Sequence, residues 1–306
     1  MKRVLFVNFS KDYEFLEVQS LSKKYEVDSF YLSYKVRAIL EKLYVLFPNI
    51  ISKVVFFILS KKVSTDFDVV ITNENKLYHS LMPYFSKDVK KIVMLRNKYD
   101  NSLTLDSSSH YYSFDSDDCN IFGFKFYNQY CSGFDFLIDN KDNDLLNINS
   151  SDVFFLGRDK GRLSKLEKIR KDNQTLNICY HIVAEPESFF QRVLKFLSVK
   201  KYATIPYIEN LKLTLRSRSV LEIGKDDQVG FTMRVFEALC AGKKVITNNK
   251  SILNTDLYDE SLIYIIDDFE EENDLSEFLN QEQIHINLQL LEKYSPYYVI
   301  SNIIED

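Results

Sequence analysis

Short β-branched and aromatic runs alternate along this chain with stretches whose apolar positions recur at helical spacing. That alternation predicts parallel sheets joined by crossover helices. In the first half, strands are expected at 3–9, 27–32, 67–72, 91–95 and 111–114. The longest helical pattern covers 36–59 and should break near Pro48, and a short capped helix is expected over 116–122. The stretch DNKDNDLLNINSSD (139–152) is polar, acidic and rich in Asn and Ser, so it reads as a linker. A second alternation follows. Its strands are expected at 153–156, 177–182, 219–223, 244–247 and 262–265, and its helices at 160–172, 186–198, 208–217, 232–241 and 275–279. A last helical segment, 282–304, should break near Pro296. The expected architecture is α/β: two successive doubly wound domains facing across a cleft, over 1–145 and 146–285, with ligands at the carboxyl ends of the strands.

A chain of 306 residues is long for one core, which agrees with two domains. The net charge of -5 argues against a general nucleic-acid binder, because phosphate backbones call for a basic surface. Cys119, Cys131, Cys179 and Cys240 form no CxxC pair and have no His at ligand spacing, so reduced, buried thiols are expected rather than a zinc site. The start, MKRVLFVNFSKDYEF, does not read as a signal peptide. The longest unbroken apolar stretch, 54–59, is far below a membrane span. A cytoplasmic protein is therefore expected. The stretch PNIISKVVFFILSKK (48–62) mixes apolar and basic residues, so peripheral contact with the inner face of a membrane stays open beside ordinary packing on the first sheet.

The chemistry concentrates in SVLEIGKDDQVGFTMRVFEALCAGKKVITNN (219–249). An apolar strand runs into a polar loop, a helix begins near Thr232 and stops at Gly242, and a new strand starts at once. A helix N-terminus with unpaired N–H groups can receive a diphosphate, and Gly230 lets the backbone come close to it. Glu237, more than a turn into the helix, is placed to accept hydrogen bonds from ribose hydroxyls. A second piece, VFFLGRDKGR (153–162), ends a strand in Gly157 and follows it with Arg158, Lys160 and Arg162.

The 219–249 string resembles the donor-binding motif of GT-B glycosyltransferases, a strand followed by EGFGLP and xxEAMACGxPVV. Gly230, Phe231, Glu237, Ala238, Gly242, Val245 and Ile246 match it. It is more closely similar to a group of bacterial lipopolysaccharide and surface-polysaccharide transferases, which carry Gln-x-Gly-x-Thr-x-Arg before Phe-Glu-Ala. Gln228, Gly230, Thr232, Arg234 and Phe236-Glu237-Ala238 match that string. The family's first Glu falls here on Val229, which leaves the donor sugar and the stereochemistry open. The resemblance implies a metal-independent glycosyltransferase with no cofactor. It would take a nucleotide-sugar donor and a glycan or lipid-linked glycan acceptor. It implies Arg158, Lys160, Gly230, Phe231 and Thr232 on the donor diphosphate, where charge grows as the nucleotide leaves. Glu237 would take the ribose, and Gln228, Arg234 and Tyr207 the donor sugar or base, Tyr207 by stacking. It also implies that the last helix, 286–306, returns to the first domain. A nucleotide-sugar epimerase and a non-catalytic nucleotide-binding module remain as rivals.

The first half resembles the same group more loosely through HYYSFDSDDCNIFGFKFYNQY (110–130). Asp115-Ser-Asp117 is a DxD pattern, but these carboxylates also sit where a helix start prefers them, and no metal is expected. An acceptor base, if one is used, is sought among Asp12, Glu74 and His79, which fall in or just after loops that follow predicted strands.

Overall fold

A strand buried on both faces of a parallel sheet must be apolar throughout, not alternately. Val4, Leu5, Phe6 and Val7 are fully buried, as are Val70 and Ile71 and the run Ile92–Leu95. The computed structural model describes residues 1–64, 66–143, 148–183, 205–224, 230–282 and 286–306, and the statements below concern these residues. The helix expected over 186–198 and the candidate Gln228 lie outside them.

The chain divides into two compact units, Met1–Gln129 with Pro296–Asp306, and Tyr130–Ser295. The first unit holds β1 (Arg3–Val7), α1 (Asp12–Leu21), β2 (Glu26–Phe30), α2 (Tyr34–Leu46), α3 (Pro48–Lys62), β3 (Val69–Asn73), α4 (Lys76–His79), β4 (Lys90–Leu95), β5 (Ser109–Ser113), α5 (Ser116–Phe122) and β6 (Lys125–Phe126). Its strands are all parallel, in the order β2-β1-β3-β4-β5-β6. Pro48 opens α3, and Phe47 before it leaves the helical region (φ -135°, ψ 61°), which is the break the sequence predicts.

The second unit holds α6 (Phe134–Asn140), β7 (Ser151–Arg158), α7 (Leu163–Asp172), β8 (Ile178–Val183), α8 (Tyr207–Leu215), β9 (Ser217–Glu222), α9 (Met233–Cys240), β10 (Lys244–Thr247), β11 (Ile263–Ile265), α10 (Ser276–Asn280) and α11 (Leu288–Glu292). Its sheet is parallel as well, in the order β11-β10-β9-β7-β8. Counted within each unit, the first five strands share one spatial order, 2-1-3-4-5. In both units the order reverses beside the first strand, between β1 and β3 and between β7 and β9. Gly242 ends α9 with φ +65°, a conformation that costs an L-residue about 1 kcal/mol or more. The polar stretch read as a linker begins inside the second unit, because α6 packs on α9.

The helix α12 (Pro296–Glu305) belongs to the first unit, where it packs on α1. Lys90 Nζ donates to the carbonyls of Ile303 (3.0 Å) and Ile304 (3.1 Å), which would otherwise end the helix unpaired. Lys2 and Tyr25 bond Glu305, and Tyr112 and Lys125 bond Asp306.

At the carboxyl edge of the first sheet, Arg96 holds Glu17 through Nη2–Oε1 at 2.7 Å and Nη1–Oε2 at 3.3 Å, with both side chains buried. Breaking such a pair from one side leaves an uncompensated buried charge. Arg96→Ala should therefore destabilise the protein by about 3–5 kcal/mol. The double variant Glu17→Leu/Arg96→Met should recover most of that loss in urea unfolding at neutral pH. A double variant no more stable than the single one would show that the pair does more than neutralise itself.

Candidate functional site

In the second unit, β7 and β9 are hydrogen-bonded neighbours flanking the reversal of strand order, where doubly wound sheets hold ligands. β7 delivers Gly157 and Arg158, and β9 delivers Glu222 and then Gly224. Arg158 and Lys160 are exposed. Lys160 takes φ +44° and Gly161 φ +77°, so the turn after β7 runs through two left-handed residues. For Lys160 that conformation stores roughly 1–2 kcal/mol of strain.

α9 starts beside this turn. A Cβ on Gly157 would lie 3.2 Å from Arg234 Nη2, and the Arg234 guanidinium sits 5.6 Å from the centre of the Phe155 ring. The nearer obstacle to such a Cβ is the Phe155 ring, at 2.9 Å, so Gly157 leaves room for both the ring and the guanidinium at the end of β7. Segments more than seventy residues apart in sequence meet here. Gly230, Phe231 and Thr232 lead into the helix, half-buried. Thr232 is the N-cap, but its hydroxyl does not turn back onto the helix. Its Oγ1 is buried and meets no hydrogen-bond partner.

Glu237 is 3% exposed. Its Oε1 accepts the Tyr207 hydroxyl at 2.7 Å, and Asn210 Nδ2 lies 3.4 Å from Oε2. The Tyr207 oxygen itself accepts the Gly133 amide at 3.1 Å, so one chain of bonds links α6, α8 and α9. Burial pushes the Glu237 carboxyl above its ordinary range, against the opposing pull of the Tyr207 bond, the nearby Arg234 charge and the Asn210 bond. Tyr207, for which the sequence allows either a stacking ring or a core ring, has its ring buried and its hydroxyl bonded to Glu237. Its place is therefore behind the carboxylate, because a buried ring leaves little face for a ligand.

Glu222 was not legible as a site residue, although an acid closing the apolar strand SVLEI was its signal. It is buried, its Oε2 accepts the Thr247 hydroxyl, and its Oε1 has no partner. Beside it, the Gly224 amide donates to Asn248 Oδ1 at 2.8 Å.

In the first unit, Asp12 begins α1 and is exposed. Glu74 follows β3, and its carboxylate accepts the Arg96 amide (2.9 Å) and Asn97 Nδ2 (2.5 Å). Glu74 lines a pocket of about 500 Å³ with Glu41, Tyr44 and Val45 of α2 and Asn97, Lys98 and Tyr99 opposite. His79 is buried, and its Nε2 lies 2.7 Å from the Tyr111 hydroxyl, which accepts the Asp106 amide at 2.6 Å. Burial pushes its pKa down, so the ring is neutral at pH 7 and suited to accept the tyrosine proton. Of the three base candidates, Glu74 lines this pocket. Glu14 was missed by the sequence reading. It is buried, closes the start of α1 by accepting the Ser10 and Lys11 amides, and keeps Oε1 without a partner.

Of the DxD carboxylates, Asp115 caps α5 and Asp117 faces Lys98 across 3.8 Å. Asp115 Oδ1 accepts the Asp117 amide at 3.0 Å, and Asp118 Oδ2 accepts the Tyr99 amide and the Ser113 hydroxyl. Among the described residues, no group of three or more His, Cys, Asp and Glu is placed to hold a metal ion. Cys131 and Cys240 are buried, and burial pushes the Cys131 thiol well up. Cys119 and Cys179 are half-buried.

Neither a protein-family model nor a curated protein sequence matches the chain. Solved structures do. AviGT4, a glycosyltransferase involved in avilamycin A biosynthesis, superposes with a TM-score of 0.54 at 10% identity, over 100% of this chain and 96% of that one. An α-glucosyltransferase in complex with UDP and a 13-mer DNA containing a central A:G mismatch superposes with a TM-score of 0.61 at 10% identity, over 100% and 99%. At such identities the likeness is one of fold. The fold is of the GT-B type: two Rossmann-like units, each on a parallel sheet.

The Glu237 environment yields a pH test. Its folded-state pKa is raised above the ordinary 4.5, so the stability tied to it is fully present below about that pH and is lost as pH rises through the folded value. Glu237→Gln, neutral throughout, should escape the loss. The melting temperature of the variant relative to wild type should therefore climb from pH 4 towards pH 8. A deficit of constant size across that range would mean that the carboxylate is held charged by its partners.

Proposed function

We propose that the chain is a glycosyltransferase that moves a sugar from a nucleotide-sugar donor to a glycan acceptor of a cell surface, lipopolysaccharide or capsule among them. The observation that carries the reading is the meeting of the 153–162 and 230–237 segments at the strand-order reversal of the second sheet, through Arg234 against Gly157. It gathers cations, the start of an eight-residue helix, an uncommitted N-cap hydroxyl and an acidic residue one turn further on. Cations and helix amides suit a diphosphate, and they act most strongly on the charge that develops as it departs. In this reading Arg158 and Lys160 hold the diphosphate with the backbone of Gly230, Phe231 and Thr232. Arg234 and Gln228 are assigned to the sugar or base, and Tyr207 serves the site by fixing Glu237.

A carboxylate has about four acceptor positions, and Tyr207 and Asn210 use two. The remaining positions on Glu237 are assigned to the ribose. The acceptor is assigned to the pocket in the first unit, with Glu74 the favoured base ahead of Asp12 and His79. Glu74 lines that pocket, and neither Asp12 nor His79 is among its lining residues. Amides and cations suffice to bind the donor in this scheme, so no metal has a part in it.

A thermal-shift screen of nucleotides and nucleotide sugars should identify the donor, since a ligand of the native state raises its melting temperature. Transfer assays with that donor should then yield a new glycoside only when an acceptor is present. An epimerised sugar released without an acceptor would overturn the proposal.

With the donor in hand, Arg158→Ala and Lys160→Ala should each lower kcat/KM on the order of a hundredfold, with the fold intact by circular dichroism. Wild-type kinetics in both variants would remove them from the site. Turnover should also persist in excess chelator. Activity that is lost to the chelator and restored by Mn²⁺ would overturn the amide-and-cation scheme.

A further inference from the structure

The helices α2 and α3 form a hairpin with an uneven surface. α3 is anchored through Ile51, Val55 and Leu59, which are buried in the core of the first unit, and through the Ser52 hydroxyl on Ser80. α2 has no buried residue at all, although half of it is apolar. Ile39, Val45, Leu46, Phe47, Ile50 and Phe57 are exposed across the two helices and their junction, Val45 by 80% and Leu46 by 68%. A soluble surface rarely presents that much contiguous apolar side chain unless something covers it.

The charge of the hairpin names the cover. Residues 34–62 carry Lys35, Arg37, Lys42, Lys53, Lys61 and Lys62 against a single acid, Glu41, in a chain whose net charge is -5. Two of these cations flank exposed rings. Lys61 Nζ lies 5.5 Å from the centre of Phe57, and the Arg37 guanidinium 5.8 Å from that of Tyr34. Long cationic stems beside apolar residues can keep their heads at a polar surface while the rings sink below it. A second copy of this chain is a poor occupant, because a two-fold contact sets a patch against itself and here would oppose lysine to lysine. The hairpin is also too short to insert across a bilayer: α3 has 15 residues, and no described helix is long and apolar enough to span one.

We propose that the α2–α3 hairpin docks the protein on the surface of a membrane rich in anionic lipid, with the exposed apolar residues among the headgroups and the lysines on the phosphates. α2 also supplies Glu41, Tyr44 and Val45 to the 500 Å³ pocket, so the element that meets the lipid is a wall of the pocket assigned to the acceptor. Docking thus fits a lipid-borne acceptor. That last link alone rests on the sugar-transfer reading, whereas docking itself rests on the first unit.

Co-sedimentation of the full-length chain with vesicles tests this without nucleotide or acceptor, so its outcome is separate from that of the transfer assays. Vesicles containing phosphatidylglycerol should pellet the protein, phosphatidylcholine vesicles should leave most of it in solution, and high salt should release it. Leu46→Glu/Phe57→Glu and Lys53→Glu/Lys61→Glu replace exposed residues, so their melting temperatures should match wild type. Each pair should weaken binding to the anionic vesicles by about tenfold or more. Failure of the wild-type protein to bind anionic vesicles would overturn the proposal, as would undiminished binding by both folded variants. So would light scattering that shows a dimer which the same substitutions dissociate, since the face would then belong to a second copy.

Discussion

A parallel sheet can be extended only by crossovers, and each crossover carries the chain back to the edge at which the strands begin. Every residue that follows a strand in either unit therefore emerges on the same edge of its sheet. The candidate chemistry of this protein depends on that constraint. Asn8 follows β1 and Asn73 ends the neighbouring β3, and the two bond each other at 2.8 Å, although sixty-five residues separate them. Arg158 and Glu222 end neighbouring strands of the second. The first five strands of both sheets repeat one order, so each sheet offers one reversal of strand order beside its first strand.

Two buried carboxylates show how differently that edge can hold charge. Glu17 meets a bidentate guanidinium, so its charge is matched within the fold. Glu237 meets a hydroxyl and an amide, which satisfy its geometry but not its charge, and burial then favours the protonated form. The Tyr207 hydroxyl is the hinge of that arrangement, since it accepts from Gly133 while donating to Glu237.

Strand positions were legible because fully buried parallel strands are unbroken β-branched and aromatic runs, and 244–247 coincides with β10. The break at Pro48 and the short helix after Asp115 were legible from proline and capping chemistry. The two segments proposed for the donor site were legible as strings, although their meeting was not, since nothing local couples Gly157 to Arg234. The Glu17–Arg96 pair escaped for the same reason, with seventy-nine residues between the partners. Tyr207 stayed open between a stacking and a core ring because a sequence shows that an aromatic is present, not where its hydroxyl goes. The period of α2 likewise shows an apolar face without showing that the face is left uncovered.

The fastening of α12 has a consequence for synthesis. Val299, Ile300, Ile303 and Ile304 are buried in the first unit, and Lys90 waits to cap their helix. A ribosome makes this segment only after the whole of the second unit. The usual vectorial order, in which an N-terminal domain finishes folding before the next begins, is therefore unavailable here. The second unit is the first that can be completed. Until then the earlier-made sheet must wait with the ground beside α1 uncovered, in the presence of a finished neighbour.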